Sequence, residues 1–182
     1  EQDADVYFVV KTLTARNQER EVGQGYLNLQ TLLRDGRDAA SVSLPLQGKQ
    51  GTAGQLVVSL AGVDALRMAS GAAPAPAPAG AGGASGRSAS MRVDVGSLTL
   101  SAPIKRDIAV ADVWVEVDLL GLAEAAKLRT KRLHKSSTNL DFGFSLSVPV
   151  AAGSKEEGAL RTALAAPQEQ DADVYFVVKT LT

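Results

Sequence analysis

The densest group of side chains able to do chemistry is the stretch KLRTKRLHKSS, where Lys127, Arg129, Lys131, Arg132, His134 and Lys135 crowd together. Cations at this density suit an anionic lipid surface, near which each basic group contributes about 1 kcal/mol. They equally suit the acidic surface of a protein partner or a tubulin tail. A third reading is a plain solvated hairpin, since charge beside a strand edge discourages unwanted pairing. If the stretch is extended, Arg129 and Lys131 fall on one side and Arg132 and His134 on the other, so the charge is not confined to one face.

The acids offer less. Calcium takes six to eight oxygens, so three or four carboxylates would have to converge. The candidates are Asp3 and Asp5 (repeated as Asp171 and Asp173), Asp35, Asp38, Asp107 and Asp112. Asp35 and Asp38 flank the end of a short helical stretch, where a turn or cap role is sufficient. His134 is the only histidine, and no Asp or Glu in its own segment is placed to orient it as a triad requires. Neither a phosphate-binding G-x-x-x-x-G-K-[ST] nor a G-x-S-x-G nucleophile turn occurs. No catalytic residue, metal site or cofactor is therefore expected, and the protein reads as a non-enzyme.

The bulk numbers set the frame. With 182 residues, 45% apolar and 21% charged, the chain suffices for one ordinary domain. A net charge of −1 supplies no field to recruit nucleic acid. The absence of cysteine excludes disulfides and a thiol nucleophile and suits a reducing, cytoplasmic setting. No apolar run reaches the eighteen or so residues a membrane-spanning helix needs.

The first fourteen residues, EQDADVYFVVKTLT, return letter for letter as residues 169–182. Val6, Tyr7, Phe8, Val9 and Val10 thus recur as Val174, Tyr175, Phe176, Val177 and Val178. Either the chain is one period of a longer tandem repeat, or it is a permuted domain with overlapping ends. Residues 69–90, ASGAAPAPAPAGAGGASGRSAS, hold no bulky apolar side chain and read as a linker reaching about 25 Å. On either reading residues 1–68 are the C-terminal half of a domain and residues 91–182 its N-terminal half. The Pro-Ala and Gly-Ala linker, and the surplus strand a lone permuted domain would carry, favour the tandem repeat. A strand apolar on both faces is also an aggregation hazard if left unpaired, which makes it a candidate for a repeat junction or for strand exchange.

The elements around these features are mostly strands. MRVDVGSLTL, DVWVEVDLLGL and NLDFGFSLSVPV alternate with the period of two that a half-buried strand shows. In the second, Val113, Val115 and Val117 lie on one face, with Trp114 as a sandwich aromatic on the other. DVYFVVKTL, apolar at four successive positions, predicts a strand covered on both sides. GYLNLQ, SVSLPL and QLVVSLAGV supply three more. SKEEGALRTALAA starts like a helix, with Ser followed by glutamates, and LQTLLRDGRD has a short helical turn stopped near Gly36. The sum is an all-β domain, an eight-stranded antiparallel β-sandwich with one or two short helices in its connections.

Spliced so that Thr182 runs into Ala15, the sequence resembles the C-terminal C2-like domain of the retinitis-pigmentosa-GTPase-regulator-interacting protein / protein fantom family. The resemblance rests on MRVDVGSLTLS, DVWVEVDLLGL, LDFGFSLSVPV with the following helix, and DVYFVVKT. Its most specific part is EVGQGYLNLQTLLRDGRDAASVSLPL followed by AGQLVVSLAGVDAL. It implies a C2-type sandwich without catalytic activity that binds protein partners, other copies of the module included. It also implies calcium independence and a place at the cilium, in the transition zone or at the basal body, within axonemal or cytoskeletal scaffolding. Calcium-binding relatives carry D-x-D in a loop after a strand, whereas here the pair precedes one. The C2 reading leaves two alternatives open: a membrane-binding domain acting through Lys127, Arg129, Lys131, Arg132 and Lys135, and a self-polymerising module that donates its extra strand.

Overall fold

The computed structural model describes residues 4–13, 19–49, 51–71, 88–107, 110–137 and 140–165. Eight strands follow one another: β1 Asp5–Leu13, β2 Glu19–Asn28, β3 Ala39–Gly48, β4 Gly51–Ala61, β5 Ser88–Leu100, β6 Asp112–Asp118, β7 Leu133–His134 and β8 Leu140–Ala151. Four short helices sit in the connections: α1 Leu29–Asp35, α2 Val63–Ser70, α3 Ala102–Arg106 and α4 Lys155–Leu164. The strands line up as β7-β6-β1-β2-β3-β4-β5-β8, and every neighbouring pair is antiparallel. The fold is thus all-β with few short helices.

The sheet is not uniformly knitted. β1 meets β2 over nine residue pairs, whereas β2 meets β3 only where Gln24 faces Gln47. Four strands therefore lie on each side of a single-pair junction. Glycines let the chain cross there: a Cβ on Gly48 would sit 2.6 Å from the Val22 carbonyl oxygen, and one on Gly23 2.8 Å from the Ala53 Cβ. One contiguous apolar core joins both sides, with Val6, Phe8, Val10, Val113 and Val115 from one run and Leu46, Leu56, Leu60, Met91 and Val93 from the other.

Local chemistry explains the helix ends. Asn28 accepts a hydrogen bond from Thr31 N at 2.9 Å to start α1, and Gly36 stops it in a left-handed conformation, φ 65°. In α4, Ser154 Oγ accepts from Glu157 N at 3.2 Å while Glu157 Oε2 accepts from Gly153 N at 2.6 Å. These satisfy N–H groups that have no partner within the helix. Asp38 Oδ1 accepts from Gly62 N and Val63 N at 2.8 and 3.0 Å, so it caps α2. The cap role expected for Asp38 is present, but on a helix other than the one it flanks.

Three expectations need correction. α2 and α3 lie where no helix was expected. Residues 69–90 are not all linker: Ala69 is 1% exposed within α2, which ends at left-handed Gly71, and β5 begins at Ser88. Alanine suffices there because it faces α4, whose Arg161 Nε donates to the Ala69 carbonyl oxygen at 3.2 Å. Finally, β1 is not buried on both faces: Val6, Phe8 and Val10 are buried, while Tyr7, Val9 and Lys11 on the outer face are only half-buried. Among the described residues no helix is long and apolar enough to cross a membrane.

Candidate functional site

Strand β6 turns Val113, Val115 and Val117 into the core and presents Trp114 and Glu116 on the opposite, outer face. Register then decides their neighbours. Lys11 of β1 stands opposite Trp114, Val9 opposite Glu116, and Tyr7 opposite Asp118. On the other flank Tyr7 faces Tyr26 of β2, their ring centroids 6.0 Å apart.

Trp114 is on this outer face and yet 0% exposed. It lies on the face opposite the valines, as the alternation places it, and outside the main apolar cluster. Its cover is the basic stretch. The guanidinium carbons of Arg129 and Arg132 each lie 4.6 Å from the indole centroid, a cation–π arrangement. Residues after the short 3-10 turn at Ala125–Leu128 are laid against β6 by Thr130, whose N–H donates to the Val115 carbonyl oxygen at 2.9 Å and whose Oγ1 accepts from Val115 N at 3.0 Å. The chain between the Glu116–Arg129 bridge and β7 carries no assigned ladder, and along it Arg129 and Arg132 reach the same ring instead of opposite sides.

Carboxylates close the cluster. Glu19 Oε1 accepts from Arg129 Nη2 at 2.6 Å and lies 3.9 Å from Arg132 Nη2. Glu116 accepts from Trp114 Nε1 at 3.1 Å, pairs with Arg129 at 3.2 Å and forms a short ion pair with Lys11. Burial pushes the Glu116 carboxyl up, but the hydrogen bonds from Lys11 and Trp114 and the attraction of Lys11 and Arg129 outweigh it and hold its pKa below the usual value. The arrangement offers no nucleophile beside a base. It offers two guanidiniums packed over a buried indole and held by carboxylates.

The other singled-out residues scatter. Lys135 Nζ donates to the Asp107 carbonyl oxygen at one end of the strands. Lys127 sits exposed, 3.5 Å from Glu124. Lys131 points outward and makes no ion pair among the described residues. Val174, Tyr175, Phe176, Val177 and Val178 lie outside the described residues. Asp5 accepts from Asn28 Nδ2 at 2.6 Å, and Asp107 pairs with Arg20 at 2.7 Å. No cluster of three or more acidic or histidine side chains that could hold a metal occurs among the described residues. A cavity of about 240 Å³ beside Arg20, Asp107 and Ser101 has its guanidinium spent on the aspartate.

No family model, curated protein or solved structure matches the chain.

Sequence reasoning missed Glu19, Lys11, Glu116 and Tyr26. Their only signal was position: Lys11 and Glu116 are charged residues on the outward beat of otherwise apolar strands. Tyr26, 55% exposed, is the one large apolar side chain left in solvent among the described residues.

Proposed function

We propose that this chain is a non-catalytic, calcium-independent, C2-like β-sandwich module that binds a protein partner through the outer face of β7-β6-β1-β2. The observation that carries the reading is the make-up of that face. Tyr26, Tyr7, Arg129 and Arg132 are gathered on it by register and by the packing of the basic stretch over the buried Trp114. Tyrosine, tryptophan and arginine dominate the energetics of protein interfaces, and pre-fixed side chains lose little freedom on binding. Two four-stranded runs joined at one residue pair, with the core between them, support a sandwich over an evenly closed barrel. The tandem-repeat organisation and the ciliary, microtubule-associated scaffold follow from the repeated segment and the sequence resemblance.

A membrane-binding role is the second reading, favoured by Lys127 and Lys131, which still face outward. It has less to work with, because Arg129 and Arg132 are already engaged by Glu19 and Glu116. Affinity capture with wild type, Tyr26→Glu and Lys131→Glu, beside flotation on phosphatidylserine vesicles, separates the two. Under the protein reading Tyr26→Glu abolishes capture of the bound partner and no variant floats. Vesicle retention that falls with salt and vanishes in Lys131→Glu would replace it with the lipid reading.

A further inference from the structure

Strand β1 occupies a slot between β2 and β6, paired with β2 over nine positions and with β6 over six. What holds it there belongs to the strand itself. Val6, Phe8 and Val10 go into the core, and Thr12 Oγ1 donates to the Asp112 carbonyl oxygen at 2.7 Å. Residues 173–181 carry the same nine side chains in the same order. Placed in the slot they would make the same ladder and bury the same side chains, so occupancy by one copy or the other differs only in the chain connections.

Those connections are nearly matched. The first copy is joined to β2 through residues 14–18. The second copy follows α4, and α4 ends beside the mouth of the slot. The Leu164 carbonyl oxygen accepts from Gln30 Nε2 at 3.1 Å, and next to Gln30 the Leu29 N–H donates to the Ala4 carbonyl oxygen at 2.7 Å. These contacts step across on the order of 15 Å, while the seven Cα–Cα steps from Ala165 to Ala172, the counterpart of Ala4, span about 24 Å when extended. The second copy would enter at the Ala4 end and run in the required direction. Closing a connection of eight residues in place of five alters the balance by about twofold.

We infer that residues 5–13 and 173–181 of one chain compete for one slot, so that the molecule exchanges its own strand for an identical one and releases the other. This goes beyond the interaction role proposed above and does not rest on it: the slot is a binding site whose ligand is a strand of this same sequence, taken by edge pairing plus alternate side-chain burial.

The chain contains no cysteine, so introduced thiols report without background. Tyr7 faces Asp118 across β1 and β6, and antiparallel partners lie within disulfide reach. In the triple variant Tyr7→Cys, Tyr175→Cys, Asp118→Cys, the thiol at 118 captures whichever copy is in the slot. Brief oxidation at low concentration and peptide mapping then count the two products. Exchange predicts two intramolecular products, 7–118 in some molecules and 175–118 in others, in amounts within about tenfold of each other. A 7–118 product alone, or a 175–118 link found only between two molecules, overturns it. Should the triple variant not fold, unfolding midpoints decide. Phe8→Ala alone should leave the midpoint close to wild type, because residues 173–181 supply an intact strand, whereas Phe8→Ala with Phe176→Ala should lower it strongly. A single variant as damaging as the double overturns the inference.

Discussion

Val115 and Trp114 are adjacent in β6, and both are 0% exposed, yet opposite physics buries them. Val115 points into hydrocarbon, among Phe8, Val10 and the other inward side chains. Trp114 points out of the sheet and is roofed by two guanidiniums, which Glu19 and Glu116 hold in place. The inner face needs only apolar area and tight packing. The outer face needs charges of both signs in one geometry, and it is therefore open to pH, to salt and to competition from a partner's own carboxylates. A roof of charge can be lifted by a binding partner; a hydrocarbon core cannot be without unfolding. That difference is why the proposed function is placed on the outer face, although it is just as dry at Trp114.

The comparison is tested hardest on the inner face. Phe8→Ala together with Phe176→Ala removes the phenyl from both copies of the strand and leaves a void under β1. The expected loss is about 3–5 kcal/mol in denaturant unfolding, independent of ionic strength. A loss that shrinks with added salt would show that the inner face also depends on the ionic cluster and would erase the distinction.

Trp114→Ala probes the outer face and should cost less, about 3 kcal/mol, because the freed guanidiniums regain water as the indole is lost. Trp114 is the only tryptophan, so circular dichroism must follow the unfolding. A cost under about 0.5 kcal/mol, the value for an ordinary surface change, would mean that the roof stabilises nothing and that Trp114 is merely covered.

The legibility of these two faces from sequence was unequal, for a physical reason. Period-two alternation is a local property, so β5, β6 and β8 and the inward set Val113, Val115 and Val117 could be read directly. Helices with their own caps, such as α1 after Asn28 and α4 after Ser154, could be read as well. α2 was harder, because its N-terminal cap is Asp38, far back in the chain, although Asp64 in its first turn and Gly71 just past its end were local signals. The outer cluster was hidden for the same reason. Trp114, Arg129, Arg132, Glu19 and Lys11 come together only through strand register and the laying of the basic stretch against β6. Treating the basic stretch as an extended strand sent its arginines to opposite sides and left the stretch looking solvated. Charged residues within a tertiary cluster and charged residues in solvent read alike in sequence, since nothing local distinguishes them.

The finest test concerns Glu116 alone. Its carboxyl is held below its ordinary pKa of 4.5 because the hydrogen bonds from Lys11 and Trp114 and the nearby cations outweigh its burial. A carboxylate whose folded pKa is depressed stabilises the fold above its unfolded pKa, and that contribution fades as pH falls through the folded value. Glu116→Gln keeps the shape and can still accept from Trp114 Nε1, but it loses the ion pairs. The expected cost at neutral pH is about 1 kcal/mol, since the pairs are partly solvated. The gap between wild type and variant should stay level above pH 4.5 and close on further acidification. Phe8→Ala with Phe176→Ala should show no such closing gap, because no charge is lost on the inner face. If the Glu116→Gln gap persists in acid, the carboxylate acts by shape and hydrogen bonding rather than by charge, and the roof over Trp114 would then hold without its anions.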